Sequence, residues 1–301
     1  MSQPVIAYVD CPDTQGVHRM AYTVWGDPQA AHVVICVHGL TRQGRDFDVL
    51  AQALVAQVDH PLRVICPDVV GRGLSDWLPQ AQAYQLPQYV SDMATLMTQL
   101  HAQAPIQTLD WVGTSMGGLI GMVVAGQPEL PKPCAIRRLV LNDVGPAVSW
   151  VSIQRMQTYV GQTGRFDNLQ EAADAMWAIS QGFGPHTPQA WLTLSAPMVK
   201  TQTDGSLTLH YDPAIGVAIR AMNEEAAQAA QTVLWQIYDQ ISASTLLLRG
   251  RQSDLLTVET AQAMTSRGPC ATLVEWDGIG HAPTLTADYQ VQAVAKFLLK
   301  S

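Results

Sequence analysis

Positive charge is scarce in this chain. Seventeen Lys and Arg stand against 25 Asp and Glu, a formal net charge of −8 with histidines neutral. Phosphate recognition needs a basic face, so nucleic acid is excluded as a partner. Cysteine is sparse and unpatterned. The five, at 11, 36, 66, 134 and 270, form no CxxC pair, which removes a thiolate metal site. Their odd number and irregular spacing point to reduced thiols and a cytoplasmic protein. Met1 to Val9 hold no basic segment followed by an apolar stretch, so no secretory leader is expected. No apolar run reaches the roughly 18 residues that a membrane span needs. The longest candidate, Gly117 to Ala125, reads as a buried helix. Internal repeats and low-complexity linkers are missing, and neither a metal nor a cofactor is expected.

What is present is a core-forming chain. Apolar residues make up 48% of 301, enough for one sizeable core and a modest insertion. Strand-like and helix-like segments alternate. Arg19 to Trp25, Val33 to Val37, Arg63 to Cys66, Thr108 to Val112 and Arg138 to Leu141 read as strands. Asp46 to Val58, Gln88 to His101 and Met116 to Ala125 read as helices. Residues 146–234 break the pattern, being rich in Trp, Gln, Pro and Gly with no convincing buried strand. Strands resume at Thr245 to Leu248 and Ala271 to Trp276, and Tyr289 to Leu299 closes the chain as a helix. Alternation of this kind implies a mostly parallel sheet covered by helices on both faces. The core is then 1–145 with 235–301, and 146–234 is a helical cap over the carboxyl edge, where such sheets bind ligands. Asp204-Gly205, between Thr-rich flanks, signals a small hairpin within the cap.

The decisive segment is Gly113-Thr114-Ser115-Met116-Gly117, set between an apolar strand and an apolar helix. A serine displayed on a tight strand-to-helix turn needs small residues two positions to either side. The N–H groups that open the following helix favour developing negative charge. A serine hydroxyl is a weak nucleophile without a base, and the base needs an orienting acid. On sheets with this elbow the partners follow in the order Ser, acid, His. His281, in Gly280-His281-Ala282-Pro283 after the last strand, is the expected base; six other histidines read as surface residues and His38 as structural. Asp254, in Gly250-Arg251-Gln252-Ser253-Asp254, is the preferred acid. Asp143, at the end of the strand after the elbow helix, is the alternative carboxylate. The oxyanion formed on attack needs two backbone donors, expected at Met116 and at Leu40 in His38-Gly39-Leu40.

These motifs, with the Asp68-x-x-Gly71-x-Gly73-x-Ser75 turn, resemble the α/β-hydrolase superfamily over nearly the whole chain. The resemblance implies an eight-stranded, mostly parallel sheet with a helical cap, and a serine carboxylesterase acting on a small-molecule ester, lactone or thioester. A homodimer is compatible with it. Related haloalkane dehalogenases and epoxide hydrolases use an aspartate where this chain has Ser115. Related C–C bond hydrolases often carry a Gly-rich run after the first His-Gly, replaced here by Leu40 to Phe47. Arg42 and Arg45 in that replacement keep a second reading open, C–C cleavage of an anionic vinylogous diketo acid. An ion pair with Asp46, Asp48 or Asp143 is the preferred role for both arginines. A third reading is a catalytically silent receptor on the same fold. Cap residues such as Met156, Tyr159, Phe183 and Trp191 divide between cap core and an apolar acyl pocket.

Overall fold

A computed structural model describes residues 3–299. The chain opens with a hairpin, β1 (Val5–Asp13) and β2 (Gly16–Gly26), of which the sequence reading caught only the second strand. There follow β3 (His32–Val37), α1 (Asp48–Gln57), β4 (Leu62–Pro67), α2 (Leu86–Gln103), β5 (Thr108–Thr114), α3 (Met116–Gly126) and β6 (Ile136–Asn142). An insertion comes next: α4 (Trp150–Tyr159), β7 (Arg165–Phe166), α5 (Leu169–Ser180), α6 (Pro188–Ser195), β8 (Val199–Thr201), β9 (Leu207–Leu209), α7 (Ile215–Ala221) and α8 (Glu224–Asp239). The chain closes with β10 (Ser244–Gly250), α9 (Val258–Ser266), β11 (Thr272–Trp276) and α10 (Asp288–Leu299).

The main sheet has eight strands in the order β1-β2-β4-β3-β5-β6-β10-β11. β1/β2 and β2/β4 pair antiparallel and the remaining neighbours parallel. This is the mostly parallel eight-stranded α/β-hydrolase sheet that the motifs implied. The apolar runs of β3 and β4 are buried along their whole length because helices cover both faces. Alternate side chains enter different cores. Val33, Ile35 and Val37 face a core that includes residues of α2 and α3, while Val34 and Cys36 face one that includes α1 and α10. His18 and His32, read from sequence as surface residues, are buried. His18 lies between Asp13 and Asp92, and His32 meets Asp110.

The insertion is not purely helical. A three-stranded sheet, β7-β9-β8, stands within it, and the β8–β9 connection turns at Gly205 in the left-handed region (φ +86°). The Asp204-Gly205 hairpin was legible; β7, two residues long, was not. Phe166, Met176, Trp191 and Met198 form a separate small core there. Side-chain caps at Ser149, Asn168, Thr187 and Asn223 start α4, α5, α6 and α8 by accepting from a backbone N–H in the first turn. α8 runs through the expected boundary at 234 and ends against α3, where Ile237 packs so closely on Gly126 that a Cβ there would meet its carbonyl.

Candidate active site

Ser115 sits between β5 and α3 with φ 52° and ψ −116°, a region that L residues seldom occupy. Its neighbours explain how the chain tolerates this. A Cβ on Gly113 would strike the Gly117 carbonyl, and one on Gly117 would strike the Val37 carbonyl. The turn therefore closes against β3 only because both positions lack side chains. The buried Trp111 indole fixes it further by donating to the Gly117 carbonyl at 3.1 Å.

His281 lies on the loop after β11. That loop is tied to Gln252 by Gln252 N–H to the Ile279 carbonyl (2.9 Å) and Ile279 N–H to Gln252 Oε1 (2.9 Å). Its Nε2 is 2.9 Å from Ser115 Oγ and its Nδ1 is 2.7 Å from Asp143 Oδ2. Asp143 is fully buried, with a positive φ of 55° that aspartate tolerates better than most residues. Gly250 N–H donates to its Oδ1 at 3.0 Å and Ser253 Oγ to its Oδ2 at 2.5 Å.

Asp254, the acid preferred from sequence, pairs with Arg155 and not with His281, whose Nδ1 meets Asp143 instead. After Gly250 the chain turns sharply, with Ser253 N–H on the Gly250 carbonyl at 2.9 Å, and carries Asp254 outward. There its side chain is 42% exposed and forked by Arg155 of α4, with Nε to Oδ2 at 2.7 Å and Nη2 to Oδ1 at 3.0 Å. Asp143 holds the inner position because β6 lies between β5 and β10, so its end opens between the serine and the β10 loop.

The loop after β3 passes beside the nucleophile; a Cβ on Gly39 would lie 3.7 Å from Ser115 Cβ. Buried His38 braces this loop. Its Nδ1 donates to the Gly39 carbonyl (2.7 Å) and its Nε2 accepts from Val69 N–H (2.9 Å), which fixes a neutral imidazole. Burial pushes its pKa down to about 3. Arg72, also fully buried, donates to the Leu40 carbonyl (2.8 Å) and the Val70 carbonyl (2.7 Å) and approaches Met116 Sδ (3.5 Å). It thus touches both residues expected to supply oxyanion donors. Asp68, whose carboxyl burial raises to about 6, accepts from Gly44 N–H and Leu74 N–H and shapes the turn that carries Arg72. Arg72 lies within the Asp68-to-Ser75 turn, and its contacts to Leu40 and Met116 are 32 and 44 residues away, beyond the reach of a local pattern.

Two cavities meet at Ser115. One, of 140 Å³, is lined by His281, Arg42, Arg155, Tyr159 and Phe183 among others. The other, of 320 Å³, is lined by Met116, Leu119, Val144, Ile153, Ile219 and other largely apolar residues. Arg42 forks Asp46 (2.8 and 2.6 Å) and Arg45 pairs with Asp48, the ion pairs preferred from sequence.

A serine held at hydrogen-bond distance from a histidine, on this sheet, defines an α/β hydrolase. More narrowly, the family model of serine aminopeptidase, S33, matches residues 28–285, and the chain belongs to that hydrolase family. It is similar to a 3-hydroxybutyrate-oligomer hydrolase of Cupriavidus necator, 44% identical over 299 residues and 98% of each chain. Among solved structures it resembles an alpha/beta hydrolase from Novosphingobium aromaticivorans, with 31% identity, TM-score 0.82 and 99% of each chain covered. It also shares its fold with the thioesterase domain from the curacin biosynthetic pathway, at 21% identity, TM-score 0.72 and full coverage of both chains. Among the described residues no helix is long and apolar enough to cross a membrane.

Proposed function

We propose that this protein hydrolyses carboxylic esters, in particular oligoesters of a short hydroxy acid, through an acyl-enzyme. Ser115 Oγ attacks the ester carbonyl carbon as His281 Nε2 takes its proton, and the carbonyl π pair moves onto oxygen. Leu40 and Met116 N–H groups receive that oxyanion; one such donor is worth about 3 kcal/mol of barrier. The C–O bond to the alcohol then breaks, and the proton on Nε2 passes to the leaving oxygen. Water, deprotonated by His281, attacks the acyl-serine and regenerates the hydroxyl. Asp143 holds the imidazole with Nδ1 protonated and stabilises its cation.

The observation that carries this reading is the unbroken line from Ser115 Oγ through His281 to Asp143, at 2.9 and 2.7 Å. The oligoester substrate comes from the Cupriavidus necator relative. An aminopeptidase must hold a free ammonium group near the reacting bond. Here the nearby Asp46 and Asp254 are already forked by guanidinium groups, which disfavours that substrate. The insertion, about 146–234, acts as the lid over both cavities. A cytoplasmic location and a homodimer complete the proposal; cell fractionation and light scattering test them.

The function is tested with a p-nitrophenyl acyl ester series and 3-hydroxybutyrate oligomers, beside Ser115→Ala. Loss of about 10⁴-fold or more in kcat is expected. Equal hydrolysis by the two proteins overturns the proposal.

A further inference from the structure

We infer that the substrate lies across Ser115 with its alcohol half in the chamber beside His281, where Arg155 and Arg42 select alcohols that carry a carboxylate. This rests on the ester reading above and adds an orientation and a selectivity to it.

The orientation follows from where the proton must go. The leaving alkoxide takes its proton from His281 Nε2, so the alcohol half lies on the histidine's side of the scissile carbon. Only one of the two cavities at Ser115 is lined by His281. The other is lined by Met116 and contains no charged side chain among its described lining residues; it receives the acyl half. Its 320 Å³ lies at the lower end of small-molecule pockets and suits a short acyl chain. The alcohol chamber is smaller, at 140 Å³. The smaller chamber suits a short hydroxy acid as the departing alcohol.

Charge separates the chambers as sharply as size. Two guanidinium groups line the alcohol chamber, Arg42 from the loop after β3 and Arg155 from α4 of the lid. Each fork to its own aspartate uses Nε and Nη2, which leaves the Nη1 edge outside the fork; Arg42 Nη2 also donates to the Leu194 carbonyl, and Tyr159 is a further side-chain partner of Arg155. A carboxylate on the departing hydroxy acid meets those edges, and a charge-assisted bond to guanidinium discriminates against a neutral end. In a linear hydroxy-acid oligomer, the carboxylate-bearing unit is the alcohol of the last ester bond. Cleavage therefore proceeds one unit at a time from the carboxyl end. Arg45, which pairs with Asp48, lines a different cleft and has no part in this.

The test uses the linear 3-hydroxybutyrate dimer as the free acid and as its terminal carboxamide, which keeps the scissile ester and removes the charge. The ratio of kcat/KM, acid over amide, is measured for the wild type, Arg155→Gln and Asp254→Asn. The wild type is expected to favour the acid by about tenfold or more. Arg155→Gln should bring the ratio toward one. Asp254→Asn, which releases the same guanidinium from its intramolecular partner, should hold or raise it. Both variants break one ion pair, so a pair that merely braced the lid would move the ratio the same way in each. A wild-type ratio near one, a ratio untouched by Arg155→Gln, or a fall in both variants overturns the inference. Failure of the wild type to cleave either dimer overturns the ester reading itself, and this inference with it.

Discussion

The loops that follow β6 and β10 each carry an aspartate, and the two aspartates live in opposite environments. Asp143 is buried, sits on a left-handed backbone, and receives a backbone N–H, the Ser253 hydroxyl and the His281 ring. Asp254 is 42% exposed, with Ser149 Oγ on its carbonyl and Arg155 on its carboxylate. Both belong to plausible motifs in the one-dimensional chain. The difference is made by strand order. The end of β6 opens beside the nucleophile strand, whereas the β10 loop lies one strand further out and uses its Ser253, not its Asp254, on the inner site. A carboxylate earns its role from the donors arranged around it.

That contrast is open to direct attack. Asp143→Asn should lower kcat by about 10³- to 10⁴-fold, because the amide no longer holds the histidine with Nδ1 protonated; Asp254→Asn should leave kcat within a few-fold. Ser253→Ala removes one donor to Asp143 and should cost about tenfold in kcat, with KM little changed, in ester hydrolysis. If instead Ser253→Ala is neutral while Asp254→Asn is severe, the two loops have been assigned in reverse. The smallest expected effect concerns pH and the brace behind the oxyanion loop. His38 has a folded pKa near 3, below the ordinary 6.5. The unfolded chain binds that proton below 6.5 and the folded chain does not until about 3. Its stabilisation is therefore full above pH 6.5 and is lost as pH falls toward 3. His38→Gln should thus be less stable at pH 7 but show a smaller drop in Tm between pH 7 and 4. Parallel Tm profiles for variant and wild type would remove His38 from the acid response.

What could be seen in the sequence follows a physical division. The elbow was legible because its demands are local: Gly113 and Gly117 must lack side chains on either side of Ser115 within one turn. The sheet was legible because β3 and β4 carry the apolar runs Val33 to Val37 and Val64 to Cys66. β1 was missed because half of it faces solvent, with Val5, Ile6 and Tyr8 exposed, so its pattern gives no core signature. β7, β8 and β9 are too short to show a period. Asp143, Ser253, Arg72 and Arg155 were unassigned or second choices because the partners that set their roles lie 32 to 138 residues away along hydrogen bonds that only the folded sheet creates; His281 to Asp143 spans 138. One signal was available for Asp143. An aspartate directly after a buried strand and before Val144-Gly145-Pro146 can adopt the positive φ that the inner position requires.

The account is tested most directly by the rate at which a fluorophosphonate labels Ser115, read by intact mass in the wild type, Asp143→Asn and Asp254→Asn. Rapid labelling of the wild type and of Asp254→Asn, with labelling of Asp143→Asn slowed by orders of magnitude, is the predicted result. Slow labelling of Asp254→Asn beside a fast Asp143→Asn would contradict it.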